Sequence, residues 1–275
     1  MKDHPGIIMK QYKTPENLNK RANLHRRFNT NPQPWNEWVF SQLPLRNGDR
    51  VLDIGCGTGG LWHENLNQLP ENIQLTLTDR SLGMVSASKT ALESQPGFMF
   101  SQTDAQQLPF EDNTFELITA NHVMFFIPDI QQALKEMKRI LRPGGWLTAT
   151  TNGKHHMQEL YDLVGKVKDA SIGMLFDGNI QSGERFALEN GAKMLKKPFG
   201  KTDTILFPAN LKVTEAQPLV DYIESLWRLS ESERMTLQAL IDAEIKQQRY
   251  FFIAKVQGLL LAQKSISEKI NGHLM

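Results

Sequence analysis

The chain has 275 residues, 40% of them hydrophobic and 22% charged, with a formal net charge of +1 and one cysteine, Cys56. Such a chain is large enough to bury its own core. The counts exclude an intramolecular disulfide and any global field drawing it to nucleic acid or anionic membrane. The most apolar run, Tyr250 to Ala262, holds Lys255 and Gln257 and falls short of the ~20 apolar residues of a membrane span. The start, MKDHPG, lacks the apolar core of a signal peptide. A cytoplasmic location is the default expectation, and the single cysteine fits a reducing compartment.

Before residue 50 the chain is polar and basic, and two helices are expected, Leu18 to Phe28 and Trp35 to Leu43. From about residue 50, short β-rich runs alternate with helical patterns, which predicts βαβ units and a parallel sheet. The first strand is Arg50 to Ile54, followed by Gly55, Gly57, Gly59 and Gly60 and a helix to about Leu69. The second, Ile73 to Thr78, ends at Asp79, and Ser81 can cap the next helix. Gly97 to Ser101 and Phe115 to Ala120 are the third and fourth strands. Apolar residues at 130, 133, 134, 137, 140 and 141 mark a helix. Arg142-Pro143-Gly144-Gly145 should stop that helix before a fifth strand, Trp146 to Thr151.

Residues 154 to 198 read as helical segments broken by glycines, and 215 to 248 as charged helix. Two extended runs, Thr202 to Val213 and Tyr250 to Lys264, are expected to close the sheet as an antiparallel pair. The division that follows is an N-terminal helical lid over residues 1–48, a Rossmann-like core over 49–153, and a C-terminal half over 154–275. That half completes the sheet and builds an acceptor pocket. Its glycines (165, 173, 178, 183, 191) and methionines (157, 174, 194) suit an adaptable wall.

The glycine run carries the chemistry. Glycines at the carboxyl end of a first strand let backbone approach a ligand closely, beside a helix N-terminus. Gly55, Gly57 and Gly60 also satisfy the G-x-G-x-x-G dinucleotide pattern, so the run alone is ambiguous. Asp53 puts a carboxylate where a pyrophosphate would lie, with no lysine or arginine in the loop to offset it. That field suits a ligand bearing an ammonium and a sulfonium better than a dianion. Asp79 stands where an acid can accept from ribose hydroxyls.

These motifs together resemble the class I S-adenosylmethionine-dependent methyltransferases, in particular the broad small-molecule group. VLDIGCGTG at 51 to 59 resembles the family's first motif and TDRSLGM at 78 to 84 its ribose-binding turn. TDAQQLPFEDNTFELI at 103 to 118 resembles the adenine-side motif and fourth strand. ALKEMKRILRPGGWL at 133 to 147 resembles the helix, turn and fifth strand. Glu116 departs from the family's common Asp, conservatively.

The resemblance implies a three-layer α/β sandwich around a mostly parallel seven-stranded sheet whose last strands are antiparallel. It also implies S-adenosyl-L-methionine as cofactor, S-adenosyl-L-homocysteine as product and a small-molecule methyl acceptor. Gly55 and Gly57 would leave room for the methionine part, which Asp53 would help position. Asp79 would hold the ribose, and Arg80 and Met84 would lie against the adenine. Asp104 would accept from its amino group beside the Ala105 backbone, and Asn121 would face the methionine part and the acceptor.

Tyr12, Arg21, Trp35 and His122 are candidate lid or substrate contacts, with His155 and His156 further candidate bases. Phe125 and Phe126 are expected to pack beneath the sheet. No catalytic residue is assigned and no metal is called for. A nicotinamide-dependent oxidoreductase and a catalytically silent cofactor-binding protein are the alternatives. Nucleic-acid methylation is disfavoured, because Asn121-His122-Val123-Met124 replaces the Asn-Pro-Pro-aromatic run and no basic domain is present.

Overall fold

A computed structural model of the chain describes residues 15–167 and 185–266. In chain order its first elements are α1 (Pro15–Phe28), α2 (Trp35–Ser41), β1 (Arg50–Ile54), α3 (Gly60–His63), β2 (Gln74–Asp79), α4 (Leu82–Leu92) and β3 (Phe98–Gln102). Next come β4 (Phe115–Asn121), α5 (Ile130–Ile140), β5 (Leu141–Asn152), α6 (Gln158–Val167) and α7 (Leu188–Phe199). The last are β6 (Thr202–Leu206), β7 (Asn210–Val213), α8 (Ala216–Glu224), α9 (Glu231–Gln248), β8 (Phe251–Ala254) and β9 (Gln257–Gln263). Among the described residues no helix is long and apolar enough to cross a membrane.

The chain forms two compact units, each assembled from separate stretches. The larger takes described residues 35–154, 185–207 and 257–266, and the smaller takes 15–34, 155–167 and 208–256.

The larger unit is built on a seven-stranded sheet of order β3-β2-β1-β4-β5-β9-β6. β1 to β5 pair in parallel, and β9 runs antiparallel to both β5 and β6. This is the expected mostly parallel sheet with an antiparallel end. Its strand order reverses between β1 and β4. In open α/β sheets the crevice outside the carboxyl ends of the strands at such a switch point is where ligands bind.

Local sequence accounts for the central elements. Val51, Leu52, Asp53 and Ile54 are all buried, as a central parallel strand covered on both faces requires. α5 buries Ile130, Ala133, Leu134, Met137 and Ile140 along one stripe. The Asp129 side chain caps it, accepting from the Gln132 N–H at 2.9 Å. At its other end the Lys264 ammonium donates to the carbonyls of Lys138 and Leu141, both at 2.8 Å. A cation there opposes the negative end of the helix dipole.

Three local expectations change. The helix after the glycine loop ends at His63, and a separate 3₁₀ turn spans Leu66–Gln68. Between them the buried Asn65 amide donates to the Leu61 carbonyl at 2.7 Å. Arg142 to Gly145 sits inside β5 as an irregularity, since Leu141 already pairs with Phe115 before Trp146 pairs with Leu117. Each late extended run also divides in two. Only β6 and β9 enter the large sheet, while β7 and β8 pair antiparallel in the smaller unit. Pro208 follows β6 and has no N–H to continue a ladder. After β8, the Lys255 N–H goes to the Asn210 side chain at 3.1 Å and the Val256 N–H to His156 Nδ1 at 3.1 Å.

The smaller unit packs α1, α6, α8 and α9 with the β7–β8 pair around Leu24, Leu160, Leu211, Leu219, Ile223 and Ile253. Met157 is part of this core. Gly173, Met174, Gly178 and Gly183 lie outside the described residues.

Candidate functional site at the carboxyl edge of the sheet

Three glycines after β1 have positive φ: Gly55 at 69°, Gly57 at 56° and Gly59 at 79°. They are small for different reasons. A Cβ on Gly55 would sit 2.4 Å from Val123 Cγ2, and one on Gly59 would sit 2.7 Å from Leu92 Cδ1. A Cβ on Gly57 would meet nothing within 4 Å. The first and last glycines therefore admit the protein's own side chains, while Gly57 opens onto free space.

The loop and the acid after β2 are joined directly. The Cys56 N–H donates to the Thr78 carbonyl at 2.9 Å. The Gly57 N–H donates to Asp79 Oδ2 at 3.1 Å, and the Ser81 N–H holds Asp79 Oδ1 at 2.8 Å. Arg80 beside it is exposed, and Met84 is half-buried in the first turn of α4. Asp104 is exposed and Ala105 buried. Desolvation works against the Asp104 charge, but hydrogen bonds from the Gln106 backbone and side chain and the Arg80 charge hold its carboxyl below the usual range.

Asp53 lies beneath the loop. Its carboxylate accepts from Trp62 Nε1 at 2.8 Å and from the Thr119 hydroxyl at 2.7 Å. Burial pushes its pKa up to about 6 against the pull of those two bonds, and the Asp79 charge adds to the rise. A carboxyl whose folded pKa exceeds its unfolded value stabilises the fold below the unfolded pKa and loses that contribution as pH rises through the folded one. The loss falls between about pH 4 and 7. An Asp53→Asn variant stays neutral, can still accept from Trp62 and can donate to Thr119. Urea unfolding at pH 5 and pH 8 should show the wild type losing on the order of 1–3 kcal/mol more than this variant. Parallel losses would show that Asp53 does not titrate there.

At the ends of β4 and β5 the polar accounting is incomplete. Asn121 Oδ1 and Nδ2 are both buried without a hydrogen-bond partner, as is Asn152 Oδ1. Next to Asn121, His122 has φ +49°, and its N–H donates to the carbonyl and the hydroxyl of Thr150, each at 3.1 Å. The His122 ring lies 5.3 Å from Trp35, which also meets Trp38 at 5.3 Å and Phe207 at 5.2 Å. Phe125 and Phe126 do not pack beneath the sheet. They follow β4 in a 3₁₀ turn in which only Met124 is buried, with their rings 4.5 Å apart and Phe126 exposed.

The larger unit thus brings together the loop glycines, Asp53, Asp79, Arg80, Met84, Asp104, Ala105, Asn121, His122 and Trp35. Arg21, His155 and His156 belong to the smaller unit, where His156 Nδ1 already accepts the Val256 N–H. Tyr12 lies outside the described residues. Sequence reasoning missed Asn152 and Phe207. The available signal for Asn152 was its place at the end of β5, the counterpart of Asn121 at the end of β4.

A doubly wound sheet with a glycine loop after β1 and an acid after β2 places the chain in the Rossmann-like class of α/β proteins. Residues 52–149 match a methyltransferase domain family. The chain is 30% identical over 179 residues to the demethylmenaquinone methyltransferase of Staphylococcus aureus strain MRSA252, covering 62% of this chain and 74% of that protein. Against the same enzyme of strain JH9 it is 32% identical over 146 residues, 52% of this chain and 60% of that one. The chain therefore spans three-fifths to three-quarters of the length of these relatives.

Among solved structures it is similar to a chain of Anabaena variabilis ATCC 29413 described as a methyltransferase from an antibiotic biosynthesis pathway. That match has a TM-score of 0.60, 17% identity and coverage of 82% of this chain and 95% of that one. It is also similar to the phosphoethanolamine N-methyltransferase 2 of Haemonchus contortus in complex with phosphomonomethylethanolamine and S-adenosylhomocysteine. There the TM-score is 0.50 at 17% identity, covering 90% of this chain and 52% of that one. At such identities the structural likeness speaks for the fold. This chain belongs to the class I S-adenosylmethionine-dependent methyltransferases.

Proposed function

We propose that the chain transfers a methyl group from S-adenosylmethionine to a small-molecule acceptor at the carboxyl edge of the larger unit. The observation that carries this reading is the opening at Gly57, whose N–H is tied to the Asp79 carboxylate while its missing side chain leaves free space. The unpartnered Asn121 amide on the next strand is the second mark of fit.

In this reading Asp79 accepts from the ribose hydroxyls. Asp104 accepts from the adenine amino group beside the Ala105 backbone, while Arg80 and Met84 flank the base. Gly55 and Gly57 shape the loop around the methionine part, with Asp53 anchoring the loop from below through Trp62 and Thr119. Asn121 faces the junction of donor and acceptor. The cofactor, when bound, supplies a methyl group already activated on a sulfonium. The chain's own contribution is then chiefly alignment and exclusion of water, and a neutral amine or ionised oxygen acceptor needs little further activation. The S. aureus relatives, named as methyltransferases of demethylmenaquinone, support a small-molecule acceptor.

Calorimetric titration with S-adenosylhomocysteine, run beside NADH, tests the reading. Binding of the first and not the second is expected. Binding of NADH alone would replace the methyltransferase with a nicotinamide enzyme, and binding of neither would point to a silent member of the fold.

A further inference from the structure

Asn121 ends β4 and pairs in register with Thr150 of β5. Asn152 lies two residues further along β5 and therefore on the same face as Thr150. Asn152 pairs in turn with Gln257 of β9, a largely buried residue. Three carboxamides from three adjacent strands thus share one face of the carboxyl edge. Deeper on that face stand Thr119, bonded to Asp53, and Thr148, so the row carries hydroxyls and amides and no formal charge until Asp53.

Three polar atoms in this row are orphaned: Oδ1 and Nδ2 of Asn121, and Oδ1 of Asn152. A buried polar group without a partner costs free energy, and native structures rarely keep one without a reason. The pair presents one N–H₂ donor and two carbonyl acceptors. An apolar ligand would leave all three unmet. An anion would face two carbonyl oxygens, and an ammonium, which only donates, would leave the Asn121 N–H₂ unmet. A hydroxyl satisfies them, since it donates to an oxygen and accepts from the amide. Beside Asn121 the rings of His122, Trp35 and Phe207 form a continuous aromatic group, a surface that suits a flat ring.

We infer that Asn121 and Asn152 form a two-point subsite for the methyl acceptor, selecting an uncharged, flat, hydroxyl-bearing molecule. The inference rests on the methyltransferase reading above and deepens it. Asn152 acts on the acceptor alone, as a specificity residue.

The test uses the full chain, with and without saturating S-adenosylhomocysteine, titrated with three probes. They are 1,4-dihydroxynaphthalene kept reduced under nitrogen, 1,4-dimethoxynaphthalene and 1-naphthylmethylammonium. The dihydroxy probe should bind the wild type best, the dimethoxy probe roughly tenfold or more weakly for lack of donors, and the ammonium no better than the dimethoxy probe. Asn152→Leu should lose roughly tenfold in affinity for the dihydroxy probe and keep the wild-type affinity for S-adenosylhomocysteine. Because it removes an unmet buried acceptor, Asn152→Leu should also leave the ligand-free unfolding midpoint unchanged or raised. A purely structural asparagine would lower it.

Equal binding of the dihydroxy and dimethoxy probes, preference for the ammonium, or no binding of the dihydroxy probe to the wild type would overturn the substrate class. A parallel loss of S-adenosylhomocysteine affinity in Asn152→Leu would move the pair to the cofactor. Failure of the wild type to bind S-adenosylhomocysteine would count against the earlier reading only, because the probe titrations without it still report on the pair.

Discussion

An Asp79→Ala variant will bind S-adenosylhomocysteine more weakly by about 1–3 kcal/mol, a factor of roughly 5 to 150, because charge-assisted hydrogen bonds to a buried partner are worth that much. The Ser81 N–H orients the carboxylate at 2.8 Å, so the acid is aimed before any ligand arrives. Its other oxygen accepts the Gly57 N–H at 3.1 Å, and removing the side chain frees the loop as well as the ribose contact. Asp79→Asn should fall between, since one carbonyl oxygen remains but an amide N–H₂ replaces the second acceptor. Calorimetry on the three proteins measures this, with circular dichroism to establish that each is folded. An alanine variant with wild-type affinity would remove Asp79 from the site.

The second large effect separates two glycines that look alike in the motif. Gly55→Ala adds a Cβ that would sit 2.4 Å from Val123 Cγ2, at a φ of 69° that disfavours any side chain. The fold should lose about 2–4 kcal/mol from overpacking and backbone strain together. Gly57→Ala meets no protein atom within 4 Å. Its fold should lose only about 1 kcal/mol from the left-handed backbone. The new methyl projects into the space assigned to the cofactor, however, and ligand affinity should fall by about 1–3 kcal/mol. Urea unfolding and S-adenosylhomocysteine titration on the same two proteins separate the effects. If Gly57→Ala binds as the wild type does, the space beside it is not the cofactor's.

The core of the fold was legible because its signals are local. β1 and β2 are short buried runs ending in chemically distinctive residues, and the apolar spacing of 130 to 140 fits one helical stripe. What the sequence concealed depends on distant partners. Tyr250 to Lys264 reads as one extended run despite Lys255 and Gln257, and nothing in its pattern shows that Lys255 and Val256 turn their N–H groups to Asn210 and His156 and split it. The same holds at the site. The glycines and Asp79 stand out by type and spacing. The unmet amide of Asn152 appears only when every neighbouring donor and acceptor has been placed. Phe125 and Phe126 misled because hydrophobicity alone suggests burial, whereas the turn after β4 leaves Phe126 exposed.

The placement of β9 between β5 and β6 has a consequence for synthesis. Strands β1 to β5, which carry the glycine loop, Asp53 and Asp79, have all left the ribosome once Asn152 is clear. β6 pairs only with β9, and β5 lacks its outer partner until residues 257–263 follow. At about 5–20 residues per second, the roughly 105 residues between Asn152 and Gln257 take about 5–20 s to make. For that interval the nascent sheet has an open edge along Trp146 to Asn152, ending at the carboxamide proposed to select the substrate. A chaperone that shields unpaired strands would find its target there.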